Sequence, residues 1–167
     1  SNDIVASISK VTDDIVRNVA PEVDLVRIPH AVNDSVFCKI PDTDLIKNFK
    51  KDNLIGIDSK GNKRFTFFWN NRNARRKQSG SLMFWFNDFL DRVGRDKATL
   101  IMHTEPKDPN GQDLDAISER LGFDDDQFKL STNKLSIEQL SVLYNACDCT
   151  INISDAEGFG LATLESL

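Results

Sequence analysis

The apolar positions of the chain follow two spacings, one typical of strands and one typical of helices. Short β-branched or aromatic runs predict strands over residues 3–8, 23–28, 64–69, 98–102, 128–130 and 148–154. Between them, apolar residues recur at spacings of three and four and predict helices. Strands that alternate with helices indicate parallel βαβ units. We therefore predict an α/β fold, a Rossmann-like parallel sheet with helices on both faces.

Local signals mark where several of these helices begin and end. Ser9 is a candidate N-cap for a helix that ends at Pro21. The segment 136–139 is a capping box that opens another helix, and Gly94 ends the strongest helical pattern. The residues predicted to form the apolar faces are Leu82, Trp85, Phe86, Phe89, Leu90 and Val93 before Gly94, and Leu140, Leu143 and Cys147 in the capped helix.

The first quarter of the chain has little hydrophobic core of its own. A strand, a helix and a second strand lead into a proline-punctuated connector and then into a polar, helical segment over 42–51. A unit of this size buries too little apolar surface to be stable alone. We therefore expect it to pack against another part of the protein.

Three loops follow predicted strands, at 70–77, 103–111 and 154–160. In parallel α/β sheets, ligands bind beyond the carboxyl ends of the strands. We therefore expect these loops, which are distant in sequence, to converge on one site.

The stretch 157–165, Glu-Gly-Phe-Gly-Leu-Ala-Thr-Leu-Glu, follows a β-branched run and opens a predicted helix. Such a turn favours anion binding, because small residues let a ligand approach the unpaired amides of the helix start. Eight steps place Glu165 about 12 Å along the helix from Glu157, roughly the reach of a sugar-diphosphate-ribose ligand. In the alternative interpretation, Glu157 only complements the helix dipole and Glu165 is solvated.

The loop at 70–77 carries four cations, which are Arg72, Arg75, Arg76 and Lys77. Arginine offers a planar fork to phosphate oxygens, and lysine offers a compact charge. A diphosphate held between these cations and the amides of Phe159 and Gly160 would have both of its charges neutralised. That arrangement suits the departure of a nucleoside diphosphate, because groups already in place stabilise the charge that develops on it. The alternative is a solvated basic turn.

The segment 154–165 resembles the donor-site signature of family 4 glycosyltransferases, which are retaining enzymes of GT-B architecture. Arg72 and Lys77 resemble the basic pair of that family, and the capped helix with Tyr144 is similar to the segment before the signature. The stretch 29–33, Pro-His-Ala-Val-Asn, resembles the interdomain segment. The resemblance is strongest over 136–165 and weak over 39–63.

The resemblance implies a role for each matching residue. Glu157 would contact the donor sugar hydroxyls as the catalytic residue, and Glu165 would bind the ribose. The remaining donor-binding residues would be Arg72 and Lys77, which hold the diphosphate, together with Gly158, Phe159, Gly160 and Leu161. Three positions depart from the family pattern, with Asn71 and Gln78 where glycine is usual and His30 where asparagine is usual.

The resemblance also implies a division of the chain. Residues 1–37 would be the tail of an N-terminal acceptor domain with its linker, and residues 38–167 an incomplete C-terminal nucleotide-sugar-binding domain. The expected activity is transfer of a hexosyl group from a nucleotide-diphosphate sugar to a glycan, lipid or small-molecule acceptor. No metal or other cofactor is expected. Without the missing acceptor domain the fragment is expected to turn over little, and the full-length enzyme could associate peripherally with a membrane.

Composition narrows the alternatives. The net charge of −5 argues against general nucleic-acid binding, and the absence of an apolar run of about 20 residues or a secretory signal favours a cytoplasmic protein. The three cysteines lack a tetrahedral metal complement. One alternative function is a non-catalytic nucleotide-binding or interaction module with a degenerate glycosyltransferase site. A minor alternative is a single-stranded RNA binder that stacks bases on Trp69 and Phe67 beside the basic loop.

Overall fold

The computed structural model of the chain describes residues 4–41 and 43–167. The strands are β1 (Ile4–Ser7), β2 (Asp24–Arg27), β3 (Phe65–Asn70), β4 (Ala98–His103), β5 (Phe128–Ser131) and β6 (Cys149–Thr150). The helices are α1 (Lys10–Val19), α2 (Asp44–Asp52), α3 (Ser79–Val93), α4 (Leu114–Leu121), α5 (Ile137–Ala146) and α6 (Leu161–Glu165). A short 3-10 helix spans Arg75–Lys77. Asp3 and Asp42, which begin a predicted strand and a predicted helix, lie outside the described residues.

A small parallel sheet is formed by β1 and β2, which are joined by α1. The side chain of Ser9 accepts a hydrogen bond from the amide of Thr12, which confirms the predicted N-cap. The apolar face of α1 is uncovered, since Val11, Ile15 and Val19 are all exposed. This first unit therefore contributes little core, as its sequence predicted.

A four-stranded parallel sheet forms the body of the molecule, with the strand order β5-β4-β3-β6. Phe67 of β3 pairs with Leu100 of β4 on one side and with Cys149 of β6 on the other. Right-handed crossover helices are the usual connections in such a sheet, and they place each strand's carboxyl end at the same edge. The predicted α/β fold is confirmed.

Helices cover both faces of this sheet. On one face, Trp69 packs with Leu82, Met83 and Phe86 of α3, and Leu114 of α4 completes the cluster. On the other face, Phe68 and Ile101 pack against residues of α5, and α2 contacts α5 from outside. Truncating one of the fully buried residues, such as Leu100, to alanine would cost about 2–5 kcal/mol of the free energy of unfolding.

Two predictions about these elements were wrong in detail. The last strand is limited to Cys149–Thr150, although 148–154 was predicted, because it pairs with β3 alone and Asn152 accepts a hydrogen bond from its own neighbour, the Ser154 amide. On α3, Trp85 is 57% exposed, and Phe89 and Val93 are also exposed. Within the described residues α4 flanks α3 on one side only, so the buried face is narrower than the apolar pattern predicted.

Candidate functional site

Two loops meet at the carboxyl ends of β3 and β6. The amide of Asp155 donates to the Arg76 carbonyl at 2.8 Å, and the Arg76 guanidinium donates to the Ala156 carbonyl at 2.6 Å. The Gln78 amide group donates to Asp155 at 2.6 Å. The loops at 70–77 and 154–160 therefore form one wall, as the positions of their strands predicted.

A cavity of about 270 Å³ lies beside this wall. It is lined by Ile8, His30, Asn71, Lys77, Glu157, Gly158, Phe159, Gly160, Leu161 and Ala162. Most of the predicted site residues are therefore brought together, and two of them, Arg72 and Glu165, are not.

Lys77 is the buried cation of this cavity, with 9% of its side chain exposed. Its ammonium group donates to the Asn71 side-chain oxygen at 2.8 Å and also to a carboxylate oxygen of Glu157. The other Glu157 oxygen lies 3.5 Å from the Arg76 guanidinium. Because an ammonium group has three donors and two are used here, Lys77 retains one for a ligand.

The Glu157 carboxylate is ionised in this setting. Burial raises the pKa of the group, but hydrogen bonds from Lys77 and Ser154 and the charges of Lys77 and Arg76 outweigh burial and lower the pKa below its usual value. Two cations therefore face one carboxylate, Lys77 from inside the cavity lining and Arg76 from outside it.

The turn between Glu157 and α6 presents backbone amides to the same cavity. Gly160 has a φ of +83°, a left-handed conformation in which other residues are strained, and it is the N-cap of α6. The amides of Thr163 and Leu164 donate to the Gly160 carbonyl. Within residues 4–41 and 43–167, the amides of Phe159 and Gly160 donate no hydrogen bond to a protein acceptor.

The structure places Glu165 in a different environment. Its carboxylate accepts a hydrogen bond from the Tyr144 hydroxyl at 3.0 Å, and that hydroxyl accepts one from the Asn70 side chain at 2.9 Å. Glu165 lines a second cavity with Phe37 and Tyr144. Burial, together with the Glu165 charge, raises the pKa of Tyr144, so the hydroxyl stays protonated and can donate.

The predicted spacing between the two glutamates was derived from a helix that does not extend that far. α6 begins at Leu161, four residues after Glu157, so a helical rise does not apply to the whole interval. The glycine-bearing turn bends the chain before the helix starts. The prediction that Glu165 lies about 12 Å from Glu157 along one helix was therefore wrong, because Glu157 precedes the helix.

Arg72 points toward the loop at 103–111. Its guanidinium forms a two-pronged ion pair with Asp108, with distances of 2.6 and 3.2 Å from its Nε and Nη2 atoms. The bond from Arg72, with help from the Asn110 amide, lowers the pKa of Asp108 to about 2. Arg72 does not line the cavity in this conformation, and its contact with a diphosphate remains a prediction.

A buried asparagine fastens the loop at 70–77 to the loop at 103–111. The Asn73 side chain donates to the carbonyls of Pro106 and Gln112, and its oxygen accepts from the Ser79 hydroxyl and the Gln112 amide. A side chain at Gly111 would begin 2.2 Å from the Asn73 carbonyl oxygen, so only glycine allows this approach. The basic loop is thus a fixed part of the site.

His30 and Asn71 are residues whose place in the site the sequence patterns did not indicate. The His30 ring meets the Phe159 ring edge to face, with centroids 5.3 Å apart, and so joins the first unit to the glycine turn. Asn71 orients Lys77 through its oxygen. The sequence offered only their positions as signals of a place in the site. His30 lies in the stretch that resembles the interdomain segment, and Asn71 directly follows β3.

His103 lies at the end of β4, outside this cavity. Its Nδ1 atom is 2.9 Å from the Ser131 hydroxyl, and burial lowers its pKa. This contact joins the ends of β4 and β5.

The described residues add three further facts. Trp69 is fully buried, so it cannot serve as the stacking platform of an RNA binder. In the described part of the chain, no group of three or more His, Cys, Asp and Glu residues could hold a metal ion. None of the helices described here has both the length and the apolar character needed to cross a membrane.

Comparisons with known proteins give structural matches only. No family model matches the chain, and no curated protein matches it. Among solved structures, the α,α-trehalose 6-phosphate synthase of Burkholderia multivorans is 15% identical with a TM-score of 0.73, covering 98% of this chain and 41% of that one. A trehalose-6-phosphate protein from E. coli bound with UDP-2-fluoro glucose is 10% identical with a TM-score of 0.72, covering 98% of this chain and 42% of that one.

One match is to a single domain of a glycosyl transferase. The C-terminal domain of a glycosyl transferase group 1 family protein from Francisella tularensis is 21% identical with a TM-score of 0.60, covering 81% of this chain and 65% of that domain. This chain spans less than half of the trehalose-phosphate proteins above. At these identities the likeness concerns the fold, and the chain has the fold of one half of a GT-B glycosyltransferase.

Proposed function

We propose that this chain is the donor-binding part of a retaining, family 4 type glycosyltransferase that transfers a hexosyl group from a nucleotide-diphosphate sugar. The observation that carries the proposal is the cavity in which buried Lys77 and Glu157 lie beside the open amides of Phe159 and Gly160. A cation and unpaired amides suit a diphosphate, and a carboxylate suits sugar hydroxyls. Structural likeness to GT-B glycosyltransferases supports the same assignment.

Lys77 can take its role without breaking the contacts that it already has. One of its three donors is unused, so a diphosphate oxygen can bind it while Asn71 and Glu157 hold its other two. Glu157 would then stay beside the phosphate and present its carboxylate to the hydroxyls of the attached sugar. Because the charges are supplied by side chains and amides, the proposed mechanism requires no metal.

Arg72 and Glu165 would have to join the site on binding. Arg72 is exposed and held by Asp108 on an outer loop, so a diphosphate could compete for its guanidinium. Glu165 is held by Tyr144 and would bind the ribose from its place on α6. We propose that both glutamates and both cations contact the donor in the bound state.

Transfer would require a facing domain that holds the acceptor. We assign residues 1–37 to the end of that domain and its linker, and residues 38–167 to the nucleotide-sugar half. By itself the chain would bind the donor weakly and turn it over little. For the full-length enzyme we propose a cytoplasmic location with peripheral membrane association.

A non-catalytic module with a degenerate site is the second candidate. Two observations favour it, since Arg72 is engaged by Asp108 and Glu165 by Tyr144, outside the Lys77 cavity. Asn71 stands where the family usually has glycine, so the loop carries a side chain at this position. A module of this kind would bind a nucleotide and transfer nothing.

Calorimetric titration with UDP, GDP and their hexose conjugates tests the proposal. We expect saturable binding by the chain, and loss of that binding in Glu165→Ala with an unchanged circular dichroism spectrum. Glu138→Ala, which alters an exposed glutamate away from the cavity, is the matched control and should bind as the unaltered chain does. No nucleotide affinity in this chain or in a longer polypeptide that includes the facing domain would contradict it. Binding without transfer by that longer polypeptide would favour the second candidate.

A further inference from the structure

A third cavity, with a volume of about 650 Å³, lies at the opposite edge of the large sheet, where β3 and β6 begin. Four lysines line it, and we call it the lysine cavity after them: Lys47, Lys50, Lys51 and Lys63. Since β3 has six residues, roughly 17–20 Å of strand separates this cavity from the loops around Lys77. The lysine cavity and the cavity beside Lys77 therefore belong to different sites.

The four lysines of this cavity form no ion pair with the described residues. Every ion pair in residues 4–41 and 43–167 involves side chains other than these four lysines. The one carboxylate in the lining, that of Asp148, accepts a hydrogen bond from the Thr66 amide at 2.7 Å. In a chain with a net charge of −5, this is a local reversal of charge.

Helix stability accounts for only two of the four lysines. Lys50 and Lys51 lie in the last turn of α2, where a cation interacts favourably with the helix dipole. Lys47 lies a turn earlier, and like charges three and four residues apart on a helix repel each other. Lys63 belongs to a separate segment. The four charges thus come from two separate segments and line one cavity.

The wall that carries Lys63 is rigid before any ligand binds. Ile57 and Lys63 form an antiparallel bridge, and the Asp58 carboxylate closes the turn between them by accepting from the Lys60 and Asn62 amides at 2.9 and 2.7 Å. Arg64 is anchored to β4 through Thr99 at 3.0 Å. A preformed wall lowers the entropic cost of binding a ligand.

We propose that the lysine cavity binds a soluble anion that carries two or more phosphate groups. Lysines on two segments of the lining can hold separate phosphates, with those of α2 contacting one group and Lys63 contacting another. The ammonium group of lysine binds phosphate as a compact charge, without the geometric demands of a guanidinium. A concave cavity of this volume suits a small polyphosphorylated molecule more than a flat membrane surface.

Inorganic pyrophosphate is the probe, and the ¹⁵N-labelled chain is the reporter. We expect saturable shifts of the Gly56, Ile57 and Lys63 amide signals on titration at low salt, with saturation moving to higher pyrophosphate as salt is raised. In the double variant Lys47→Gln/Lys50→Gln, the affinity read from these signals should fall roughly tenfold or more. The matched control, Lys10→Gln/Arg120→Gln, removes two exposed cations outside both cavities and should leave the affinity unchanged.

Three results would overturn the proposal. The first is an absence of saturable shifts at these amides, even when amides near Lys77 respond. The second is equal loss of affinity in the two double variants, which would indicate a general charge effect. The third is binding to phosphatidylserine vesicles, lost in Lys47→Gln/Lys50→Gln, without pyrophosphate binding, which would make the surface a membrane contact. Because the nucleotide-sugar site has its own amide signals, failure here leaves the proposed function standing.

Discussion

Lys77 and Glu157, which are 80 residues apart in the chain, form an ion pair at the meeting point of two loops. Lys77 comes from the 3-10 turn after β3, and Glu157 from the turn after β6. The pair neutralises a buried ammonium group while leaving one of its donors free. It thus fastens the two loops together.

Removing the cation of this pair should affect both stability and binding. In Lys77→Met, the Glu157 carboxylate and the Asn71 oxygen lose their shared donor, so we expect the free energy of unfolding to fall by about 1–3 kcal/mol. Nucleotide-diphosphate binding should be lost. Urea denaturation and calorimetry measure the two effects. Arg75→Met, which alters an exposed cation two residues away that is outside the cavity lining, should change neither, and equal effects in both variants would refute this role.

The Arg72–Asp108 pair predicts a pH dependence at acid pH. The Asp108 pKa is about 2 in the folded chain and about 3.9 when unfolded, so its contribution is complete above pH ~4 and is lost as the pH falls toward 2. The unaltered chain should therefore exceed Asp108→Asn in stability at neutral pH, and the difference should shrink between pH 4 and 2. Denaturation curves across this range give the comparison. A difference that stays constant with pH would show that the carboxylate charge is not involved.

The Tyr144 hydroxyl should stabilise the end of the chain. Tyr144→Phe removes the group that links Asn70 to Glu165, and we expect a loss of about 1–2 kcal/mol in the free energy of unfolding. Because the ring remains, its packing against Phe68 should persist. Thermal and urea denaturation measure the loss. An unchanged stability would mean that water replaces the hydroxyl at no cost.

A comparison of alanine variants at Gly160 and Gly122 separates the effect of backbone strain on stability from an effect on ligand binding. Both have positive φ, +83° and +67°, and both cap helices, but only Gly160 lines the cavity. Either residue changed to alanine should lower stability by roughly 1 kcal/mol. Only Gly160→Ala should also weaken nucleotide-diphosphate binding, because its strain displaces the turn amides. Calorimetry on the two variants decides this, and equal binding losses would mean that the turn has no direct role.

Sequence periodicity predicted the large sheet because its central strands are short and strongly apolar. Periodicity did not predict the features that depend on the neighbouring strands and helices. The exposed side of α3 and the two-residue β6 both reflect which strands and helices flank them, and no local pattern contains that information. The exposed Trp85 shows this most clearly, since its spacing is that of a core residue.

The meeting of the glycine turn and the basic loop was predicted, but the pairings of their charged side chains were not. The two segments were recognisable as candidates for anion binding because such binding uses small residues and cations at strand ends. The partners of the charged side chains were not, since Asp108 and Tyr144 reach Arg72 and Glu165 through tertiary contacts. His30 could be placed against Phe159 only once the first unit had folded onto the large sheet.

The most direct test of the central claim is the response of individual amides to a nucleotide-diphosphate sugar. A ¹⁵N-labelled chain titrated with UDP-glucose and with GDP-mannose should show saturable shifts at Phe159, Gly160 and Leu161 with at least one of them. Shifts confined to other parts of the chain, or none at millimolar donor with either sugar nucleotide, would contradict the assignment of this cavity to the donor.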